Sequence, residues 1–107
     1  MNFTEYQVLA HQTSIYPESE GIYYTVLGLA NEAGEVAGKL KKWIRGDTPA
    51  GPSLPEVLEG ELGDTLWYLA EICTVLGIDF NTVAYKNVEK LKDRAKRNMI
   101  RGSGDTR

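Results

Sequence analysis

One cysteine, one histidine and two phenylalanines among 107 residues remove several classes of protein at the outset. The lone Cys73 has no partner for an intramolecular disulfide, and its neighbours Leu69, Ile72 and Leu76 make it a core thiol. A single His11 rules out paired-histidine metal sites and the Glu-x-x-His pairs on which helical di-iron centres depend; we expect it to be a partly exposed helix residue. No stretch approaches the ~18 apolar residues of a membrane span, and no basic segment followed by an apolar run opens the chain. We therefore expect a cytoplasmic protein with no membrane partner. A formal net charge of −3 lacks the electrostatic footprint of a nucleic-acid binder, so no stable nucleic-acid partner is expected, although Lys and Arg crowd the stretch from Lys86 to Arg101.

What is present is helical. Asn2 with Glu5 opens a first helix whose face carries Phe3, Tyr6, Leu9, Ala10 and Thr13, and Tyr16-Pro17 ends it. From about Glu20 to Ile44, Ile22, Val26, Leu29, Ala33, Val36, Leu40 and Trp43 step by four and three, an apolar seam read as core. Thr25, Gly28, Glu32, Glu35 and Lys39 follow the same steps on the adjoining stripe. A loop rich in Gly and Pro follows Arg45, and Ser53-Leu54-Pro55-Glu56 is a capping box for a third helix reaching Leu76, where Gly77 stops it. That helix repeats the plan, with Leu58, Leu62, Leu66, Leu69, Ile72 and Leu76 as core and Glu61, Asp64, Tyr68 and Glu71 beside it. Asp79 caps a fourth helix, about Phe80 to Asn98, with Val83, Ala84, Val88 and Leu91 inside. The expectation is one all-α domain over 1–107, a four-helix bundle with a mobile tail at 99–107. Apolar residues in excess of one small bundle, Trp43, Ile44, Leu66 and Val75 among them, favour assembly as a homodimer or homotetramer.

The chemistry lies in two carboxylate pairs. Glu32 with Glu35, and Glu61 with Asp64, are spaced by three residues, which puts each pair on one helical face about 5–6 Å apart at Cβ. Both pairs sit in apolar sequence where an unpaired charge is costly. Four acids from two packed helices repel unless cations lie between them, and hard oxygen donors suit Mg²⁺, with Mn²⁺ as the substitute.

Glu32-x-x-Glu35, a 25-residue spacer, Glu61-x-x-Asp64, and then Asn87-x-x-Lys90-Leu91-x-x-Arg94 resemble the MazG-like branch of the all-α nucleotide pyrophosphohydrolases, over about Tyr23 to Arg97. The resemblance implies Mg²⁺-dependent hydrolysis of a nucleoside triphosphate substrate, NTP or dNTP, to monophosphate and pyrophosphate, in a house-cleaning role. It implies Glu32, Glu35, Glu61 and Asp64 as metal ligands, with Glu35 alternatively the base that deprotonates water. Lys90 and Arg94 stabilise developing charge, and Asn87 meets sugar or phosphate. Gln7 stands available to a base edge, and Trp67 and Tyr68 either stack on a base or pack between helices. For Lys39 the i, i+4 pair with Glu35 is the preferred reading and a phosphate contact the other. Two alternatives remain: a substrate-specific relative acting on dUTP, dCTP or phosphoribosyl-ATP, and a non-catalytic helical interaction module.

Overall fold

A computed structural model describes residues 1–107 as four helices, α1 (Phe3–His11), α2 (Gly21–Ile44), α3 (Leu54–Leu76) and α4 (Phe80–Lys96), with a short 3-10 turn at Glu18–Glu20 ahead of α2. The all-α, four-helix arrangement is the one read from the sequence. The 3-10 turn is the element that reading missed.

The boundaries follow local chemistry. Asn2 accepts from the Glu5 backbone N–H at 2.8 Å to start α1. Ser53 and Glu56 close a reciprocal capping box at the start of α3, with Pro55 in the first turn, an arrangement contributing on the order of 1 kcal/mol. Gly77 ends α3 at φ 69°, the left-handed conformation that favours glycine, and Ile78 N donates back to Cys73 O at 2.8 Å. Asp79 then caps α4, accepting from Thr82 N at 3.2 Å, and also accepts from Thr4 Oγ1 at 2.8 Å. A side chain of α1 thereby helps hold the start of α4.

The axis of the fold is the α2–α3 pair. α1 lies across α3 and touches the beginning of α4, whereas α2 makes no close backbone approach to either α1 or α4. The core is small: Ala10, Ala70, Cys73 and Phe80, flanked by Tyr6, Leu66 and Trp67, with the Phe3 ring 4.7 Å from that of Phe80. Cys73 is buried there, as its neighbours suggested. The radius of gyration is 16.8 Å, against about 13 Å for a compact chain of about 100 residues. The helices are splayed.

This corrects the expected core. In α2 only Gly21 and Thr25 are buried; the apolar seam lies largely open, with Val26 at 47% and Leu40 at 39% exposure. Val83, Val88 and Leu91 of α4 and Leu62, Leu69 and Leu76 of α3 are likewise exposed. The reason is geometric. α2 has one helical partner, and it turns the Thr25–Gly28–Glu32 stripe toward that partner, so the neighbouring seam has nothing within the chain to pack on. The residues at 97–107 fold back along the end of α4: Arg97 donates to Arg107 O at 2.7 Å, and the Arg107 guanidinium donates to the carbonyls of Met99, Ile100 and Gly104.

Candidate active site

The acidic stripes of α2 and α3 face each other. Their approach is set by Gly28, where an added Cβ would fall 2.0 Å from the Tyr68 ring. Glycine there lets the Tyr68 ring lie against α2, and Tyr68 in turn forms one wall of an open cavity of about 440 Å³ lined by Thr13, Glu32, Asp64, Trp67 and Tyr68. Trp67 is fixed edge-on to Tyr68, ring centroids 4.9 Å apart, and its indole N–H is shared between Thr13 Oγ1 at 2.9 Å and Ala10 O at 3.2 Å.

Carboxylate oxygens of Glu32, Glu61 and Asp64 all lie within 4.8 Å of one another. Glu61 is the most enclosed of the three, 9% exposed. Its Oε1 is 2.9 Å from Lys39 Nζ, while its Oε2 is buried with no hydrogen-bond partner. Glu35 is exposed at the rim, outside the close trio but near enough for its charge to be felt by Glu32. The electrostatics divide the acids. Burial, then the neighbouring Glu61 carboxylate and the charges of Glu35 and Asp64, raise the Glu32 carboxyl above the usual range. The Lys39 ammonium is the main influence holding Glu61 below it, and Glu61 reciprocally raises Lys39. Tyr68 is raised by burial, by the Tyr24 hydroxyl, and by the charges of Glu32 and Asp64.

The residues present fit a divalent cation. The donor set is oxygen only, it is drawn from two helices, and it includes one buried carboxylate oxygen that no protein group satisfies.

The remaining sequence candidates are distributed as follows. Trp67 and Tyr68 line the acid cavity. Lys39 is not among the residues lining that cavity but joins the acidic cluster, where it bridges to Glu61 on α3 in place of the expected pairing with Glu35 on its own helix; the closer α3 carboxylate captures it. Gln7 is engaged elsewhere. Its side-chain N–H donates to Ile78 O at 2.8 Å and Thr74 Oγ1 at 3.2 Å, and its side-chain oxygen accepts from Phe80 N at 2.8 Å, which ties α1 to the α3–α4 turn. It does not stand free for a base edge. Lys90 and Arg94 are not brought to the acids within one chain. Lys90 Nζ lies 2.6 Å from Asp105 Oδ1, and Arg94, 5% exposed, donates to Asp105 O at 2.6 Å. Asn87 is exposed on the same helix. Sequence reasoning missed Thr13 as a lining residue and Tyr24 as the neighbour of Tyr68. Periodicity puts Thr13 on one face of the first helix without saying what that face meets, because each residue reaches the site through packing between elements.

Carboxylates paired across two helices beside an aromatic-walled cavity are the arrangement expected from the resemblance to the all-α hydrolases of nucleotide pyrophosphate bonds. Residues 22–99 match the MazG nucleotide pyrophosphohydrolase domain, and the chain belongs to that family. It is also 40% identical to the Gene 37 protein of Mycobacterium phage L5, across the full length of both chains. No solved structure matches it significantly.

Proposed function

We propose that this MazG-type hydrolase converts a nucleoside or deoxynucleoside triphosphate to its monophosphate and pyrophosphate in a Mg²⁺-dependent reaction. The observation that carries the reading is the convergence of Glu32, Glu61 and Asp64 within 4.8 Å from two helices. These three would hold the ion, with Glu35 joining from the rim. When bound, Mg²⁺ neutralises triphosphate charge and makes water a better nucleophile; Mn²⁺ can replace it.

The chain's own groups supply the rest. Glu35, exposed and outside the trio, would accept a proton from the attacking water. The water oxygen forms a bond to the α-phosphorus, the bond from that phosphorus to the oxygen bridging the β-phosphate breaks, and pyrophosphate departs with the bridging oxygen. Trp67 and Tyr68 offer ring surfaces against which a base packs, and Thr13 offers a hydroxyl. Lys39, beside Glu61, is a second-choice contact for phosphate.

Lys90, Arg94 and Asn87 enter this scheme only through assembly. The open seam of α2 and the exposed Tyr23, Leu27 and Ile44, at 68%, 70% and 77%, leave apolar surface with no partner within the chain, the kind of surface that marks an interaction site. We assign that face to a homodimer or homotetramer contact, and the phosphate-binding role of α4 to a neighbouring copy. No helix of the chain is long and apolar enough to cross a membrane.

The test is release of pyrophosphate from a panel of canonical and modified NTPs and dNTPs, phosphoribosyl-ATP included, in ¹⁸O-labelled water with and without Mg²⁺. The expected result is label in the monophosphate. Label in pyrophosphate, or release of orthophosphate, contradicts attack at the α-phosphorus, and turnover of one substrate alone identifies a specific hydrolase.

A further inference from the structure

The largest fully buried side chain of the molecule is an acid that the scheme above does not use. Glu71 of α3 is 0% exposed, and its Oε1 gathers two groups: Tyr16 OH, from the connection between α1 and α2, at 2.9 Å and His11 Nδ1, at the end of α1, at 3.1 Å. Its Oε2 is buried with no partner. A buried, half-satisfied carboxylate is a poor stabiliser; an apolar residue of similar volume is often neutral or better. Its partners reach solvent, His11 through a side chain 53% exposed, so removing Glu71 leaves no stranded interior charge.

Two paths lead from this carboxylate to the cavity. Tyr16 stacks on Tyr24, centroids 5.0 Å apart and planes 24° from parallel, and Tyr24 lies 6.3 Å from Tyr68. On the other side, His11 is flanked by Ala10 and stands two residues before Thr13, the two acceptors of the Trp67 indole N–H. Tyr68 and Trp67 are the two aromatic walls of the acid cavity.

We propose that Glu71 is a positioning residue, a single buried anchor that sets both aromatic walls and so governs how tightly a nucleotide's base is held, without touching substrate or metal. This rests on the reading of the cavity as a nucleotide site and extends it to a residue outside the acidic motif. One carboxylate oxygen tying down two approaches keeps the walls in register with each other, which packing of separate side chains would not.

The test compares the wild-type protein with Glu71→Met, Glu71→Gln and Tyr16→Phe, measuring KM and kcat for the best triphosphate of the panel, Mn²⁺ affinity by electron paramagnetic resonance, and Tm. Loss of hydrogen bonds to a charged group predicts a KM raised about tenfold in Glu71→Met, with kcat and Mn²⁺ affinity within about threefold and Tm held. Glu71→Gln, which keeps an acceptor for Tyr16, recovers part of the loss, and Tyr16→Phe, which keeps the stacked ring, loses less than Glu71→Met. Unchanged KM in folded variants overturns the proposal, as does a parallel fall in kcat, metal affinity and Tm. Should the wild type turn over no nucleotide, the functional reading fails by itself. Positioning is then judged on Trp67 emission in a Trp43→Phe background, where Glu71→Met must shift the spectrum and an unshifted spectrum refutes it.

Discussion

Lys39 on α2 reaches across the helix interface to Glu61 on α3, Nζ to Oε1 2.9 Å, and so places an ammonium inside the carboxylate cluster. A cation arriving at Glu61 must compete with it. Lys39→Met removes the competitor and one positive charge together, and is expected to tighten Mn²⁺ binding by up to about fivefold, the scale of an exposed ion pair. Titration by electron paramagnetic resonance checks this. Weaker binding in the variant would show that Lys39 serves chiefly to orient Glu61.

Gly28 makes a sharper steric prediction. A Cβ at this position meets the Tyr68 ring at 2.0 Å, whereas one at Gly60 meets nothing within 4 Å. Gly28→Ala is expected to lose about 1–3 kcal/mol of stability through forced displacement of the ring, and Gly60→Ala to gain up to about 1 kcal/mol from helix propensity. Urea titrations of both variants test the pair; equal effects would mean that α2 and α3 yield at Tyr68 without strain.

Tyr16 gives the fold an alkaline limit. Burial, the hydrogen bond to Glu71 and the charge of Glu71 push its hydroxyl from 10.0 up to about 12. The folded chain therefore keeps the proton where the unfolded chain has begun to release it. Stability from this group is full below pH 10 and declines as pH rises toward 12. Denaturation midpoints measured across that window should fall more steeply in the wild type than in Tyr16→Phe; identical slopes would separate Tyr16 from the loss.

The open apolar face of α2 predicts self-association. Sedimentation of the wild type should give a dimer or tetramer, and Leu27→Glu, at a position 70% exposed in the single chain, should shift it toward monomer and lower turnover together. A monomeric, fully active wild type would require the α4 basic residues to act elsewhere.

The helices were legible because their ends carry local chemistry: Asn2, Ser53 with Glu56, Gly77 and Asp79 announce boundaries that the structure places within a residue or two. Glu32, Glu61 and Asp64 were legible as well, since i, i+3 spacing fixes a shared face whatever the tertiary arrangement. Which stripe of α2 turns inward was not. A seam of Ile22, Val26 and Leu40 outweighs Thr25 and Gly28 in hydrophobicity, yet the small residues allow the closer approach to α3, and the seam is left for another surface. Glu71 was visible as the next member of the Asp64–Tyr68 stripe, but its complete burial depends on His11 at the end of α1 and on Tyr16 from a connection whose path no periodicity encodes. The partners of Lys90 and Arg94 were illegible for a similar reason, because Asp105 belongs to a tail with no core-forming residue.

The most direct test of the carboxylate cluster is pyrophosphate release as a function of Mg²⁺ for the wild type and for Glu61→Gln, which keeps the size of the side chain and removes its charge. Metal-dependent release by the wild type, abolished by chelation and reduced at least about a hundredfold in Glu61→Gln, is the expected result. Release that persists in chelator, or survives the substitution at the wild-type rate, would mean that Glu32, Glu61 and Asp64 meet for some purpose other than holding the ion that hydrolysis needs.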